Sequence, residues 1–170
     1  MIEILKYTIP AFIVFVTAFF TLRMLMKNDQ KKRNHELILK NQNLITPIRL
    51  QAYERLTLFL ERISPDALVM RLNKENMTVS QMQNEMLKTI RSEFDHNLSQ
   101  QIYVSPQAWL MVKNARENVV KLVNTTAQEF KSGDPAIKLS KSLLQKIMES
   151  ENTPTKGAIQ YLKKEVKNYF

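Results

Sequence analysis

Residues 105–130 read SPQAWLMVKNARENVVKLVNTTAQEF, and this stretch decides the fold class. Ser105 is a residue type that caps the free N–H groups of a first helical turn, and Pro106 suits the first helical position because no N–H is needed there. The apolar residues that follow recur every three or four positions, which is the spacing of one buried helical face. That face would consist of Ala108, Val112, Ala115, Val119, Val123, Ala127 and Phe130.

The same pairing of a capping residue with proline recurs along the chain and divides it into helices. It is found at Thr46-Pro47, Ser64-Pro65, Asp134-Pro135 and Thr153-Pro154. Thr78 with Gln81 forms a capping box without proline. Stripes of helical spacing follow these starts, and they run from Ile48 to Ile63, from Met82 to Ile102, from Leu139 to Ile147 and from Ile159 to Tyr169. The sequence therefore predicts an all-α protein.

The composition excludes several other classes of protein. Only two glycines occur in 170 residues, and turn-rich β architectures need glycine at hairpins and bulges. The chain has no cysteine, which excludes disulfides, thiolate zinc sites and cysteine nucleophiles. Lysine and arginine number 25 against 16 acidic residues, so the net charge is +9.

An uncharged run of 16 residues, Tyr7–Leu22, lies near the amino terminus. With its apolar flanks it extends over 23 residues, Ile4–Met26. At about 1.5 Å per residue, a helix of that length exceeds the roughly 30 Å of a bilayer core. A cleaved signal peptide would end in small residues, and a buried helix of a small domain is rarely apolar on every side. The run therefore predicts one uncleaved transmembrane helix.

Basic residues are denser after this run than before it, and positive flanks stay in the cytoplasm. We expect the amino terminus outside and the remainder of the chain in the cytoplasm. The chain then divides into a transmembrane anchor (1–27), a basic juxtamembrane helix or linker (28–45) and a cytoplasmic helical domain (46–170). Anionic lipid attracts basic side chains beside a span, and those expected to contact lipid headgroups are Lys27, Lys31, Lys32 and Arg33.

A search for catalytic motifs gives one weak candidate. Glu93 and His96 lie three residues apart on a predicted helix, a spacing that di-iron helical bundles use. Such a site needs a second copy of the motif and two further carboxylates, and the other histidine, His35, lacks the spacing. Phosphate-binding loops, zinc-protease motifs and nucleophile elbows do not occur. We expect no enzyme activity, cofactor or metal, with a metal-dependent enzyme using Glu93 and His96 as an alternative.

The densest polar stretch lies at the end of this predicted helix and in the turn after it. Its side chains form either a structural hydrogen-bond network between two helices or a surface that binds a partner protein. Trp109 is expected to pack against the turn rather than to bind a ligand. The candidate interaction surface consists of Arg91, Glu93, Asp95, His96, Asn97, Gln101, Tyr103 and Trp109.

Two pairs of charged residues follow a seven-residue period beside the stripe of the helix before Ser64. Arg55 and Arg62 form one pair, and Glu54 and Glu61 form the other. Seven residues are two helical turns, so acids and bases lie on adjoining ridges. The pattern indicates either a solvated edge with weak salt bridges or the seam of a coiled-coil or dimer contact, which leaves a homo-oligomer open.

Basic residues also cluster near the carboxyl terminus, at Lys156, Lys163, Lys164 and Lys167. A nucleic-acid-binding protein usually concentrates its positive charge on one face. The bulk of the chain is only mildly basic, and the cluster is typical of a solvated helix face. We do not expect nucleic acid to be a partner, and a basic peripheral binder of ribosome, RNA or anionic lipid is an alternative function.

Four segments together resemble an uncharacterised family of small bacterial membrane-anchored helical proteins. They are Ile4–Pro10, Arg49–Leu56, Ile90–Phe94 and Gln101–Pro106. The resemblance implies one transmembrane helix, a cytoplasmic multi-helix bundle and a location in the bacterial inner membrane, and it implies no activity. Our leading hypothesis is a non-enzymatic, membrane-tethered scaffold or accessory subunit. Its partners would be membrane lipid and the other members of an inner-membrane protein complex.

Overall fold

The structure is a computed structural model of the chain, and it describes the backbone of residues 2–150 and 153–169. Within that part, the side chains of residues 2–11, 13–14, 34–44 and 169 are not described. Every regular element among the described residues is a helix, and these residues contain no strand, which confirms the all-α prediction.

Six α-helices and one 3₁₀ helix follow each other along the described chain. The α-helices are α1 (Ile2–Arg62), α2 (Pro65–Leu72), α3 (Val79–Asn97), α4 (Pro106–Ala127), α5 (Ala136–Glu149) and α6 (Lys156–Tyr169). The 3₁₀ helix covers Leu98–Ile102, between α3 and α4. The chain forms two compact units, Met1–Pro47 and Ile48–Phe170, and α1 contributes residues to both.

The amino-terminal unit consists of α1 residues, and α1 includes the segment 28–45. The phenylalanine, leucine and methionine side chains that are described between Phe12 and Met26 are at least half exposed. Among the side chains that are described, no helix has a segment long and apolar enough to cross a membrane. Much of the predicted span, namely residues 4–11, 13 and 14, lies outside those side chains.

One expected helix start is wrong. Thr46 and Pro47 lie inside α1, whose backbone is helical on both sides of them. A proline within a helix removes one backbone hydrogen bond and crowds the preceding turn. The residues around it include no glycine and continue a helical pattern, so this single interruption does not end the helix.

The other starts differ in how they are capped. The Ser105 hydroxyl accepts a hydrogen bond from the Ala108 N–H at 3.0 Å, and Thr78 with Gln81 forms a complete capping box, both as predicted. Ser64 does not cap α2, because its hydroxyl donates backwards to the Glu61 carbonyl. Asp134 does not cap α5 either, since that helix begins at Ala136, one residue later than expected.

The carboxyl-terminal unit has one hydrophobic core, to which α1 contributes its last three turns. Helix α3 packs against α4 and α5, while α4 also packs against α5 and α6. The side chains that are fully enclosed come from all six helices, and the largest of them are Phe59, Leu56, Leu60, Ile63, Leu68, Met82, Met86, Ile90, Leu139, Leu143 and Leu162. Nearly all of them belong to the predicted stripes.

The stripe predicted to run from Met82 to Ile102 is buried only as far as Phe94. Leu98 is 44 % exposed and Ile102 is 75 % exposed, so these two positions were assigned wrongly to the core. The reason is that α3 ends at Asn97 and the chain continues as a 3₁₀ helix. A 3₁₀ helix turns by about 120° per residue instead of 100°, which moves both side chains off the buried face.

Two loops pair with each other at one end of this unit. An isolated bridge joins Thr78 to Pro135, and the Val79 N–H donates to the Asp134 carbonyl at 2.8 Å. The Asp134 carboxylate also accepts from the Lys131 N–H and from the Lys138 ammonium, each at 3.1 Å. The hydrogen bond from Lys138, followed by that from the Lys131 N–H, holds the pKa of Asp134 below its ordinary value of 3.8.

We expect Asp134→Asn to lower the melting temperature of this unit at neutral pH. Because the folded-state pKa is lowered, the carboxylate stabilises the fold fully above its ordinary pKa, and this contribution is lost as the pH falls through the folded value. Melting curves of both proteins between pH 7 and pH 2.5 check this. The two melting temperatures should converge at the acidic end, and a gap that stays constant across the range would contradict the assignment.

Candidate functional site

An aromatic column connects α1, α3 and α4 in the core of the carboxyl-terminal unit. The ring of Phe94 lies 5.9 Å from that of Phe59 and 5.5 Å from that of Trp109, centroid to centroid. The guanidinium of Arg116 lies 4.2 Å from the centre of the Phe94 ring, within range of a cation–π contact. Trp109 is only 9 % exposed, so the structure places it in the core and not on an interaction surface.

Glu93 joins three helices through two arginines. Its Oε1 lies 3.1 Å from Nε of Arg62 and 3.5 Å from Nη1 of Arg71. Arg71 also donates to the carbonyl of Arg62, the last residue of α1, at 3.3 Å. A carbonyl at a helix end has no partner within its own helix, so Arg71 satisfies a group that would otherwise need water. Glu93 is therefore a structural clasp between α1, α2 and α3.

A pocket of about 430 Å³ lies beside this clasp, between α1 and α3. We call it the α1–α3 pocket, and its lining residues are Arg55, Leu58, Phe59, Arg62, Ser92, Glu93, His96 and Asn97. It contains three of the predicted surface residues, Glu93, His96 and Asn97. Two arginines and one carboxylate line it, which gives it a net positive charge.

His96 and Glu93 have different partners. Nδ1 of His96 lies 2.6 Å from the carbonyl oxygen of Ser92. A carbonyl only accepts, so Nδ1 carries the hydrogen and donates it. Glu93 in turn is bound by two guanidinium groups. In the described part of the chain, no three histidine or carboxylate side chains come together as a group that could hold a metal.

The other predicted surface residues are not among those that line the pocket. Asn97, which does line it, donates to the Glu93 carbonyl at 2.8 Å. The Tyr103 carbonyl accepts from Nε of Arg49 at 3.2 Å, and this ties the 3₁₀ turn to α1. Arg91 lines a different groove of about 640 Å³ between α3 and α4. Asp95 and Gln101 are exposed side chains.

Sequence reasoning missed the partners of Glu93. Arg55 and Arg62 stand out in the sequence by their period of seven, but no sequence pattern connects them with α3, and none distinguishes Arg71. The available signal is that an arginine lies in the last turn of each of two successive helices, where a cation interacts favourably with the helix dipole. Which carboxylate those arginines bind depends on how α3 packs, and that is a tertiary contact.

The outward side of the last turns of α1 carries a further set of side chains, all of them exposed. We call it the α1 outer face, and it consists of Gln51, Glu54, Arg55, Leu58, Glu61 and Arg62. Leu58 is 57 % exposed at its centre. At about 100° per residue, both glutamates lie on one side of Leu58 and both arginines lie on the other.

Two groups of basic residues that the sequence singled out are exposed. Lys27, Lys31, Lys32 and Arg33 lie on the α1 part of the amino-terminal unit. In the carboxyl-terminal unit, Lys156, Lys163, Lys164 and Lys167 lie on α6. At about 100° per residue, the four α6 lysines lie within roughly 100° of one another, so they form one face of that helix.

We expect Glu93→Gln to lower the free energy of unfolding by about 1 kcal/mol, because the neutral amide loses two partly exposed ion pairs. Urea unfolding in a non-ionic detergent, followed by the fluorescence of Trp109, measures it. Asp95→Asn, which neutralises an exposed carboxylate two residues further on, is the matched control. It should change the same quantity by less than about 0.5 kcal/mol. Equal effects of the two substitutions would show that Glu93 is not a clasp.

The fold and the clasp define an all-helical protein whose carboxyl-terminal unit carries an arginine-lined pocket. The family model DUF7935, described as a family of unknown function, matches residues 1–169. The chain belongs to this family. No curated protein and no solved structure matches it.

Proposed function

We propose that the protein is a non-enzymatic scaffold or accessory subunit, held at the bacterial inner membrane by the first part of α1. The observation that carries this proposal is the exposure of large apolar side chains in the amino-terminal unit. Phe12, Phe15, Phe20 and Met26 are 63–66 % exposed, and Met24 is 76 % exposed.

These side chains are distributed around the whole circumference of the helix. At about 100° per residue, Phe12, Phe20 and Leu25 project in three directions roughly 80° to 140° apart. A helix that is apolar on every side is stable only when it is surrounded by protein or by lipid. Lipid is the simpler environment, because it contacts all sides of one helix at once.

Polar groups in this segment agree with a lipid environment. The Thr21 hydroxyl donates to the Thr17 carbonyl at 2.7 Å, so its proton has a partner within the helix and needs no water. Lys27, Lys31, Lys32 and Arg33 follow the apolar segment and are exposed. A basic flank favours a cytoplasmic location for residues 48–170, with the amino terminus outside.

The mechanism of such a protein is tethering. A membrane anchor confines the folded unit to the bilayer surface, and this raises its effective concentration towards other membrane proteins. The α1–α3 pocket and the α1 outer face each offer both charged and apolar groups for contact. Glu93 stabilises the packing of α1, α2 and α3 next to these surfaces, and a scaffold does not require it to take part in a reaction.

Affinity purification from membranes at native expression tests the proposal. The chain should recover a defined set of membrane proteins in a mild detergent. The same proteins should be lost when the anchor is disrupted by Phe15→Asp with Phe19→Asp, and retained with Phe15→Leu and Phe19→Leu. Recovery of the chain without any partner, or an identical set with the disrupted anchor, would contradict it.

The basic face of α6 favours a second candidate function, peripheral binding to ribosome, RNA or anionic lipid. Binding through lysines releases counterions and weakens steeply with salt. Co-sedimentation of the chain with ribosomes or with phosphatidylglycerol vesicles, at low and at high salt, tests this function. Peripheral binding through α6 requires an association that weakens at high salt and that Lys163→Gln with Lys167→Gln abolishes. An association that is insensitive to salt excludes this function.

A further inference from the structure

We propose that the α1 outer face binds the same face of a second copy of this chain, with the two α1 helices parallel. This inference deepens the proposed function, because the membrane anchor holds both copies in one bilayer with the same orientation. The occupant follows from the charge pattern of the face, which is complementary to itself in one orientation only.

The face has an acidic edge and a basic edge on either side of a central line. Gln51 and Leu58 form the central line, Glu54 and Glu61 form the acidic edge, and Arg55 and Arg62 form the basic edge. When two parallel helices are related by a two-fold axis along their length, the basic edge of each meets the acidic edge of the other. When the helices are antiparallel, the two-fold axis brings basic edge to basic edge and acidic to acidic.

The register is set by sequence spacing. In the parallel arrangement, Leu58 contacts Leu58 of the second copy, Arg55 faces Glu54, and Arg62 faces Glu61. Flanking charges of this kind determine partner choice and orientation in helix pairs. Like charges in the antiparallel arrangement would oppose association instead.

The arginines have donors available for such contacts. Among the described side chains, Arg55 has no ion-pair partner. Arg62 uses its Nε towards Glu93, which holds the guanidinium at the edge of α1 while its two terminal nitrogens remain for a second carboxylate. Glu93 therefore positions one of the interface arginines.

The contact is small, since it involves about three turns of one helix per chain. Stable interfaces between freely diffusing proteins bury roughly 1,200–2,000 Å². Confinement of both copies to one bilayer raises their effective concentration and makes a smaller contact sufficient. The dimer is therefore expected to be populated in the membrane and to dissociate on dilution in detergent.

Cysteine crosslinking of the full chain in membranes tests the interface, and the absence of native cysteine makes each introduced thiol unique. A thiol crosslinker of about 8 Å matches the 8–10 Å between packed helix axes. Leu58→Cys and Gln51→Cys should each give a crosslinked dimer. Lys141→Cys, at an exposed position of α5, should give at least about tenfold less, because α5 is outside the interface.

Charge reversal provides the second arm of the test. In the Leu58→Cys background, Arg55→Glu should reduce the crosslinked dimer about fivefold by placing like charges opposite each other, and adding Glu54→Arg should restore it. Lys141→Glu is the matched control and should leave the yield unchanged. Restoration by the second reversal separates a specific charge pair from a folding defect.

Several outcomes would overturn the proposal. One is the absence of a crosslinked dimer of Leu58→Cys. Another is a dimer of Leu58→Cys without a dimer of Gln51→Cys, which indicates an antiparallel contact. The third is a product in which Leu58→Cys is joined to a different protein. Failure of the membrane anchor is distinguished by alkaline carbonate washing of the same membranes. Release of the chain there refutes anchoring, whereas the ratio of Gln51→Cys to Leu58→Cys crosslinking reports the orientation alone.

Discussion

Replacing Phe94 with alanine is expected to lower the free energy of unfolding of the carboxyl-terminal unit by about 3–5 kcal/mol. The ring of Phe94 is 8 % exposed and contacts the rings of Phe59 and Trp109. Removal of the ring leaves a cavity between three helices and also removes the contact with the Arg116 guanidinium. Most small domains have a total stability of about 5–15 kcal/mol, so the loss is a large fraction of it.

Urea unfolding in a non-ionic detergent measures this effect, with Trp109 as the only tryptophan of the chain. Phe94→Leu is the matched control, because it retains most of the buried volume and should cost less than half as much. The emission of Trp109 should also shift towards longer wavelength in the folded alanine variant, since water gains access to the indole. An alanine variant as stable as the native chain would show that the aromatic column is not part of the core.

The second large effect is expected at the proposed membrane anchor. Aspartate near the centre of a membrane span costs about 3 kcal/mol, so Phe15→Asp with Phe19→Asp should destabilise insertion by about 6 kcal/mol in total. We expect the chain to move from the membrane fraction to the supernatant after alkaline carbonate washing. Immunoblotting of the two fractions measures the distribution.

Phe15→Leu with Phe19→Leu is the matched control for the anchor, because leucine is also apolar and the helix keeps its length. This variant should remain with the membrane. If the aspartate variant also stayed in the washed membranes, the two phenylalanines would not be surrounded by lipid. If the leucine variant were released as well, the aromatic rings themselves would be the source of membrane binding.

Helix positions in this protein were accessible from the sequence because local signals specify them. Ser105-Pro106 and the Thr78–Gln81 capping box mark helix starts through contacts within one turn, and the structure contains both caps. The stripe of α4, from Ala108 to Ala127, is buried as its spacing predicts. Such features depend on the residues of one segment alone.

Structural features that depend on contacts between segments, or on the residues that flank a local signal, cannot be predicted from that signal alone. Thr46-Pro47 carries the same local signal as Ser105-Pro106, yet it lies within α1 because the flanking residues continue the helix. Ile102 matches the apolar period of α3 but is exposed after the change to 3₁₀ geometry. Neither result follows from a pattern of period 3.6.

In the candidate site, too, some features follow from local sequence and others only from the packing of distant segments. The polarity of Glu93, His96 and Asn97 predicts that they share a surface, and the three side chains do line one pocket. The arginines that give the pocket its positive charge, Arg55 and Arg62, both come from α1, more than 20 residues away along the chain. Arg62 meets Glu93 only through the packing of α1 against α3. Trp109 was grouped with the polar residues because of its position in the sequence, whereas its ring lies in the core.

The most direct test of the central claim, that α1 anchors the chain with residues 48–170 in the cytoplasm, is protease protection of the native chain in spheroplasts. An epitope at the carboxyl terminus should survive protease added outside intact spheroplasts and disappear once they are lysed. Digestion of that epitope in intact spheroplasts would contradict the orientation. Complete release of the chain by carbonate in the same preparation would contradict the anchor itself.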